Sequence, residues 1–205
     1  HAWQDIGNQP AVFEFFIDFI AEVSQISARD VHGNIVHYPL IENQHKAGVL
    51  RDSYCPIKHD DLKKFESKSG SKLSKMAQDY MCKLMDNMDY VGVLALELFV
   101  INTNKGADID LALIVNEMAP RVHNSGHLTN DAFDCGQFEL HIRSILGGNI
   151  SSPKIKCLSA HMNNIIGEIT PDYYKLAQQN NIYLYDYGKT FRDGRKVGHV
   201  VKLSE

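Results

Sequence analysis

Two apolar runs, YVGVLALELFVIN (90–102) and DIDLALIVNE (108–117), follow one another with only TNKGA at the junction. Their length and their richness in Val, Leu and Ile suit strands, and Gly106 supplies a residue free to take positive φ in the turn. The pair reads as a β-hairpin with little polar surface on either face. Such a hairpin has to be covered on both sides, which points to helices layered on a sheet. Within it, Glu97 interrupts the first run, and a buried carboxylate is costly unless a cation meets it. Glu117 closes the second run. Antiparallel pairing brings the two carboxylates close, although the sequence leaves the register open.

Two such carboxylates repel, and one keeps its proton unless positive charge lies between them. A hard divalent cation resolves the conflict, because Mg2+ is held by one or two carboxylates together with substrate phosphates. Asn116 adds a neutral amide oxygen. Alternatively, Glu97 pairs with an arginine and Glu117 only caps a turn; spacing alone leaves both readings open.

The remaining chain supplies the covering elements. GSKLSKMAQDYMCKLMDNMD (70–89) places Leu73, Met76, Ala77, Tyr80, Met81, Leu84, Met85 and Met88 at spacings of three and four, as in an amphipathic helix. A second helix is expected over 129–146, with Thr129 or Asn130 as N-cap, Asp131 in its first turn and a stop at Gly147-Gly148. Strands are expected at 11–19, 22–30 and 34–41. The charged stretch KHDDLKKFESKSGSK (58–72) reads as a solvated loop or a frayed helix start. After Pro153 come short strands at 155–162, 182–187 and 196–203, and a small helix at 170–179 with Pro171 in its first turn. A boundary near residue 150 therefore divides the chain into 1–148 and a smaller, β-rich 149–205. The fold class is α/β (α+β).

The candidate chemistry is concentrated in two places. NEMAPRVHNSGH (116–127) crowds a carboxylate, an arginine and two histidines into the loop between a strand end and a helix start. YGKTFRDGRKVGH (187–199) carries Lys189, Arg192, Arg195, Lys196 and His199 among three glycines. Glycines let backbone amides approach an anion and the arginine fork matches phosphate oxygens, so a phosphate monoester would fit; a basic surface turn is the plain alternative.

Composition limits the partners. With 205 residues, 44% of them hydrophobic, the chain can bury one good core or one core and a satellite. A net charge of −4, with both signs mixed along the chain, argues against a nucleic-acid footprint or an anionic-membrane patch, so a small ligand is expected. Cys55, Cys82, Cys135 and Cys157 form no C-x-x-C pair, which suits reduced thiols in the cytoplasm. No apolar run approaches the roughly twenty residues of a membrane span. The chain opens on His1 rather than Met, as a piece of a longer protein would.

Taken in order, YPLIENQHKAGVLRDSYCP, YVGVLALELFV, NEMAPRVHNSGH, QFELHIRSILG and GRKVGH resemble the 5-(carboxyamino)imidazole ribonucleotide synthase family of ATP-grasp ligases, from about Phe13 to His199. The resemblance implies the C-terminal lobe of an ATP-grasp domain, with an antiparallel sheet and packed helices, followed by a small substrate-phosphate-binding domain. It also implies a homodimer that uses ATP, Mg2+ and bicarbonate to carboxylate 5-aminoimidazole ribonucleotide through carboxyphosphate. Carried onto matching positions, Glu14, Phe15, Phe16 and Ile17 would read adenine and Glu22 would hold the ribose. His45 and Asn116 would lie by the nucleotide, and Glu97 and Glu117 would hold Mg2+. Arg121 and His123 would face bicarbonate or the imidazole, and Lys189, Arg195 and Lys196 would take the 5′-phosphate. Upstream parts of the ATP cradle lie outside this chain, which alone is expected to be inactive. The rivals are another ATP-grasp ligase, such as a formate-dependent glycinamide ribonucleotide transformylase, and a non-catalytic nucleotide-binding module.

Overall fold

The computed structural model describes residues 1–68, 70, 72–104 and 109–205; the turn assigned to Gly106 lies outside the described residues. A short helix, α1 (Ala2–Asp5), precedes β1 (Ala21–Arg29), β2 (Ile35–His37), β3 (Ile41–Lys46) and β4 (Val49–Cys55). Helices α2 (Asp60–Lys68) and α3 (Lys72–Asn87) then lead to the hairpin of β5 (Gly92–Asn102) and β6 (Leu111–Ala119). Helices α4 (Thr129–Ala132) and α5 (Gln137–Ile145) follow, then β7 (Ser159–Ile166), α6 (Pro171–Leu176), β8 (Ile182–Asp186) and β9 (Lys196–Ser204).

All these strands join one antiparallel sheet in the order β6-β5-β1-β3-β4-β7-β9-β8, with β2 pairing β1. Alternation along β5 decides what each face meets. Leu94, Leu96, Leu98 and Val100 pack against Leu62 and Phe65 of α2 and Leu73, Ala77, Met81 and Met85 of α3. Val93 and Ala95 join Ile26, Leu128, Phe133 and Leu140 on the opposite face. Beyond Ala95 that apolar layer stops, and the same face continues with the partly buried Glu97 and Phe99. The hairpin is thus covered on both sides over only part of its length.

Several expectations are corrected. Residues 11–19 form no strand: Phe13, Phe15 and Phe16 are about as exposed as side chains can be, at 94%, 88% and 90%. Apolar side chains do not make a strand where no neighbouring backbone accepts the hydrogen bonds. Of the stretch expected as a solvated loop or frayed helix start, Asp60–Lys68 is the helix α2, and it buries Leu62 and Phe65. The helix expected over 129–146 is broken between α4 and α5, where Phe133 turns extended and bridges to Ile155. Gly136 makes that break possible, since a Cβ there would lie 2.4 Å from Asn130 Oδ1. Neither Thr129 nor Asn130 is the N-cap of α4, which follows Leu128; the Thr129 hydroxyl instead accepts from the Gln137 N–H at the start of α5 (2.9 Å).

Beyond residue 150 the chain continues the same sheet, because β7 pairs with β4. It also gathers a small core of its own, with Ile165, Val197 and Val200 beneath Ile169, Tyr173 and Leu176. Among the described residues no helix is long and apolar enough to cross a membrane.

Candidate functional site

Glu97 and Glu117 are directly opposite one another across β5 and β6. The register slips immediately beside them, with Leu98 facing Val115, so Asn116 is the extra residue of a β-bulge. Glu97 is largely buried, and burial raises its carboxyl above the usual range; the charge of His45 pulls it back and that of Glu117 pushes it further up. Among the described residues no arginine pairs with it. The nearest basic atom is His123 Nε2, at 3.6 Å from Oε1, too long for a hydrogen bond.

That imidazole is neutral, because burial, with Arg121 and Lys196 adding like charge, drives its pKa down to about 4. Nδ1 lies 2.9 Å from the Ser125 hydroxyl, which can donate or accept, and 3.4 Å from the Ser125 N–H, which it can accept only with the ring proton on Nε2, the side toward Glu97. Glu22 of β1 bonds His45 of β3 at 2.9 Å, and this bond raises the His45 pKa. Between these groups runs a buried polar chain: Asn43 Nδ2 donates to Ser24 Oγ (2.6 Å) and Ser53 Oγ donates to Asn43 Oδ1 (2.8 Å). Ser24 is also the β1 neighbour of Glu97. Lys196, at the start of β9, has its ammonium pKa lowered by burial and partly restored by the charge of Glu97. Its charge also acts on His45, His123 and His127. Glu22, His45, Glu97, Glu117, His123 and Lys196 therefore form one electrostatic cluster drawn from five strands and a loop.

The other expected residues are distributed around it. Glu14, Phe15 and Ile17 line an open groove of about 360 Å3 together with Phe99, Ile114, Val115 and Asn116; Phe16 is outside it. Arg121 is exposed and donates from Nη1 to the Val122 carbonyl (2.9 Å). Lys189 holds its Nζ over the Tyr187 ring at 4.9 Å, and Arg195 is exposed beside Thr190. The structure does not bring Lys189 or Arg195 against the carboxylate pair.

Sequence reasoning missed the residues that hold the loop. Gln137, fully buried at the head of α5, accepts from the His123 N–H (2.9 Å) and donates to the His123 carbonyl (2.7 Å) and to His127 Nδ1 (2.8 Å). Gly126 has to be glycine, since a Cβ would meet Ile26 Cδ1 at 2.4 Å and Gln137 Oε1 at 2.5 Å. Asn164 Nδ2 donates to Asn124 Oδ1 (2.7 Å), and the Tyr187 hydroxyl bonds His199 Nδ1 (2.7 Å). Single buried amides leave no pattern in a sequence, so nothing marked Gln137 or Asn164.

Among the described residues no three His, Cys, Asp or Glu side chains close around a metal position. Two carboxylates with an amide beside them nevertheless fit a cation that takes its other ligands from phosphates and water, as Mg2+ does.

The model of the ATP-grasp domain matches residues 1–138. The chain belongs to the ATP-grasp family. A second model, the phosphoribosylaminoimidazole carboxylase C-terminal domain, matches residues 160–205 of this ATP-grasp chain. The N5-carboxyaminoimidazole ribonucleotide synthase of Pseudomonas aeruginosa is 37% identical over 198 residues, covering 97% of the chain and 49% of the relative. That of Escherichia coli is 36% identical over 189 residues, covering 92% and 47%. The chain thus spans about half the length of the curated relatives it matches. Among solved structures, the N5-carboxyaminoimidazole ribonucleotide synthetase of Thermus thermophilus superposes with a TM-score of 0.81 at 37% identity, covering 98% of this chain and 51% of that one. The Aspergillus clavatus synthase, in complex with ADP and 5-aminoimidazole ribonucleotide, has a TM-score of 0.75 at 26% identity, covering 92% and 48%.

Proposed function

We propose that the whole protein carrying this ATP-grasp chain carboxylates 5-aminoimidazole ribonucleotide with ATP and bicarbonate, as an N5-carboxyaminoimidazole ribonucleotide synthase of purine biosynthesis. The observation that carries the reading is the opposed pair Glu97 and Glu117, with neutral His123 and cationic Lys196 in the same cluster. In this reading bicarbonate attacks the γ-phosphorus, ADP leaves, and carboxyphosphate forms. The exocyclic amine then takes the carboxyl group, or the CO2 released from it, with loss of phosphate and a proton. Little covalent help is required, and positioning and charge supply most of the catalysis.

Residue roles follow the geometry. Glu97 and Glu117 would hold Mg2+, which when bound neutralises phosphate charge; Asn116 lies beside them. Glu14, Phe15, Phe16, Ile17, Glu22 and His45 would hold the nucleotide, with the groove at Phe99 receiving its base. His123 presents an N–H, not a base, toward bicarbonate or the imidazole, and Arg121 supplies like-placed positive charge. Lys189, Arg195 and Lys196 would take the 5′-phosphate. We divide the chain at 148/149 into an ATP-grasp lobe and a substrate-phosphate domain, supported by the separate small core around Val197. The four free thiols accord with a cytoplasmic protein, and the resemblance implies a homodimer acting on small molecules.

The test is carboxylate replacement in the whole protein. Glu97→Gln or Glu117→Gln keeps the shape and removes the charge, so ATP turnover should be lost with the circular dichroism unchanged. Near-normal turnover in Glu117→Gln, or a fall in thermal midpoint as the only effect, would show the pair to be structural.

A further inference from the structure

The hydrogen bonds of Gln137 leave no freedom in the assignment of its amide. Oε1 accepts from the His123 N–H, so the other end is the NH2 group, and its two hydrogens go to the His123 carbonyl and to His127 Nδ1. Nδ1 of His127 is therefore an acceptor, and in a neutral imidazole the proton then resides on Nε2. Nε2 makes no hydrogen bond within the described residues. The ring is clamped between Phe138 and His199, stacked at 5.4 and 5.2 Å, with Tyr187 edge-on at 6.5 Å. The charged and titratable groups around it are Lys196 and His199 from β9, Tyr187 between β8 and β9, and His123 from its own loop. None of these is a carboxylate.

We propose that Gln137 is a positioning residue that fixes His127 as a neutral Nε2–H donor for an oxyanion bound beside Lys196. The oxyanion is a bicarbonate or carboxyphosphate oxygen, an identification that rests on the function proposed above. Burial, with the like charge of Lys196, independently drives the His127 pKa down to about 4, so the ring stays neutral at working pH. A neutral donor strengthens as charge builds on a carboxyl oxygen and cannot remove the proton of the attacking group. His127 thus stabilises charge, and it is not the base.

The test is histidine-selective 15N labelling of the whole protein. His127 should give the Nε2–H pattern, unchanged between pH 8 and pH 5.5, whether or not the protein carboxylates the ribonucleotide. An Nδ1–H pattern, or titration near the ordinary imidazole value, overturns the proposal. Gln137→Glu replaces the NH2 by an acceptor, so the proton should move to Nδ1 and the ring should begin to titrate in the neutral range. The kcat/KM for bicarbonate should fall by about ten- to hundredfold, the loss expected for one hydrogen bond to a charged group, while KM for ATP stays put. A Gln137→Glu protein with an unaltered tautomer and pH profile contradicts the proposal. If that variant fails to fold, the labelling of the unsubstituted protein decides. Absence of carboxylation with the Nε2–H pattern intact would count against the proposed reaction and leave the role of Gln137 standing.

Discussion

Three imidazoles on the loop and on β9 are held uncharged. Burial is the first cause for each, and it takes His123 and His127 down to about 4 and His199 to about 3. These values lie below the ordinary imidazole value, so the unfolded chain binds protons in the window from about pH 6.5 down to 4 that the folded chain refuses. Stability should therefore rise with pH through that window and be lost as the pH falls across it. The urea midpoint should be clearly lower at pH 5.0 than at pH 7.5, and His199→Phe should remove about one proton from the difference. An equal pH dependence in the variant would mean that His199 is charged or solvated in the fold. At this scale the sequence was readable where a residue contradicted its surroundings. Glu97 stands out because it breaks an apolar strand, and antiparallel pairing of the two runs brings Glu117 near it, although the sequence leaves the register open. Gln137, Asn124 and Asn164 contradict nothing around them, so only coordinates could connect them.

Helix α2 marks the limit of periodicity as a signal. Only Leu62 and Phe65 of its nine residues are buried, and the polar and charged remainder hides an inner face of two residues spaced three apart. The burial is nonetheless complete, with Leu62 at 0% exposure in the layer shared with α3 and β5. Leu62→Ala should cost about 2–5 kcal/mol in urea unfolding, whereas Lys63→Ala should stay within about 0.5 kcal/mol. Equal small effects would show that α2 is a loosely attached flap. Helix α3 was legible because Leu73, Ala77, Met81 and Met85 repeat every four residues over its whole length. The strands β3 and β4 were harder to read, since polar residues break the apolar pattern on both faces: Asn43 and His45 face the site, whereas Glu42 accepts from the Lys58 and His59 N–H groups and Asp52 bonds His161. At 11–19 the apolar side chains suggest a strand that does not form, because composition does not report whether a partner strand is available.

Across the whole molecule, the sheet carries the C-terminal segment to the carboxylates. β7 continues from β4, β9 from β7, and Lys196 at the head of β9 joins the cluster around Glu97. Lys189 and Arg195 lie on the exposed loop before it, away from the Glu97–Glu117 pair. The proposed division of labour has a selective consequence: Arg195→Ala should weaken binding of the ribonucleotide by about 1.5–3 kcal/mol and scarcely change the affinity for ATP, measured by calorimetry on the whole protein. Loss of ATP affinity instead would assign this loop to the nucleotide site. The sequence patterns were enough to expect an antiparallel sheet with layered helices. They could not show that one sheet spans residue 150, because strand neighbours distant in sequence leave no local mark.

Bicarbonate-dependent ADP release by the whole protein tests the proposed reaction most directly. ADP should form only when bicarbonate and Mg2+ are both present, and 5-aminoimidazole ribonucleotide should speed its release and couple it to one carboxylated product, since the amine traps an intermediate that water otherwise destroys. ADP release supported by formate and glycinamide ribonucleotide, or none under any condition with ATP still bound, would contradict it.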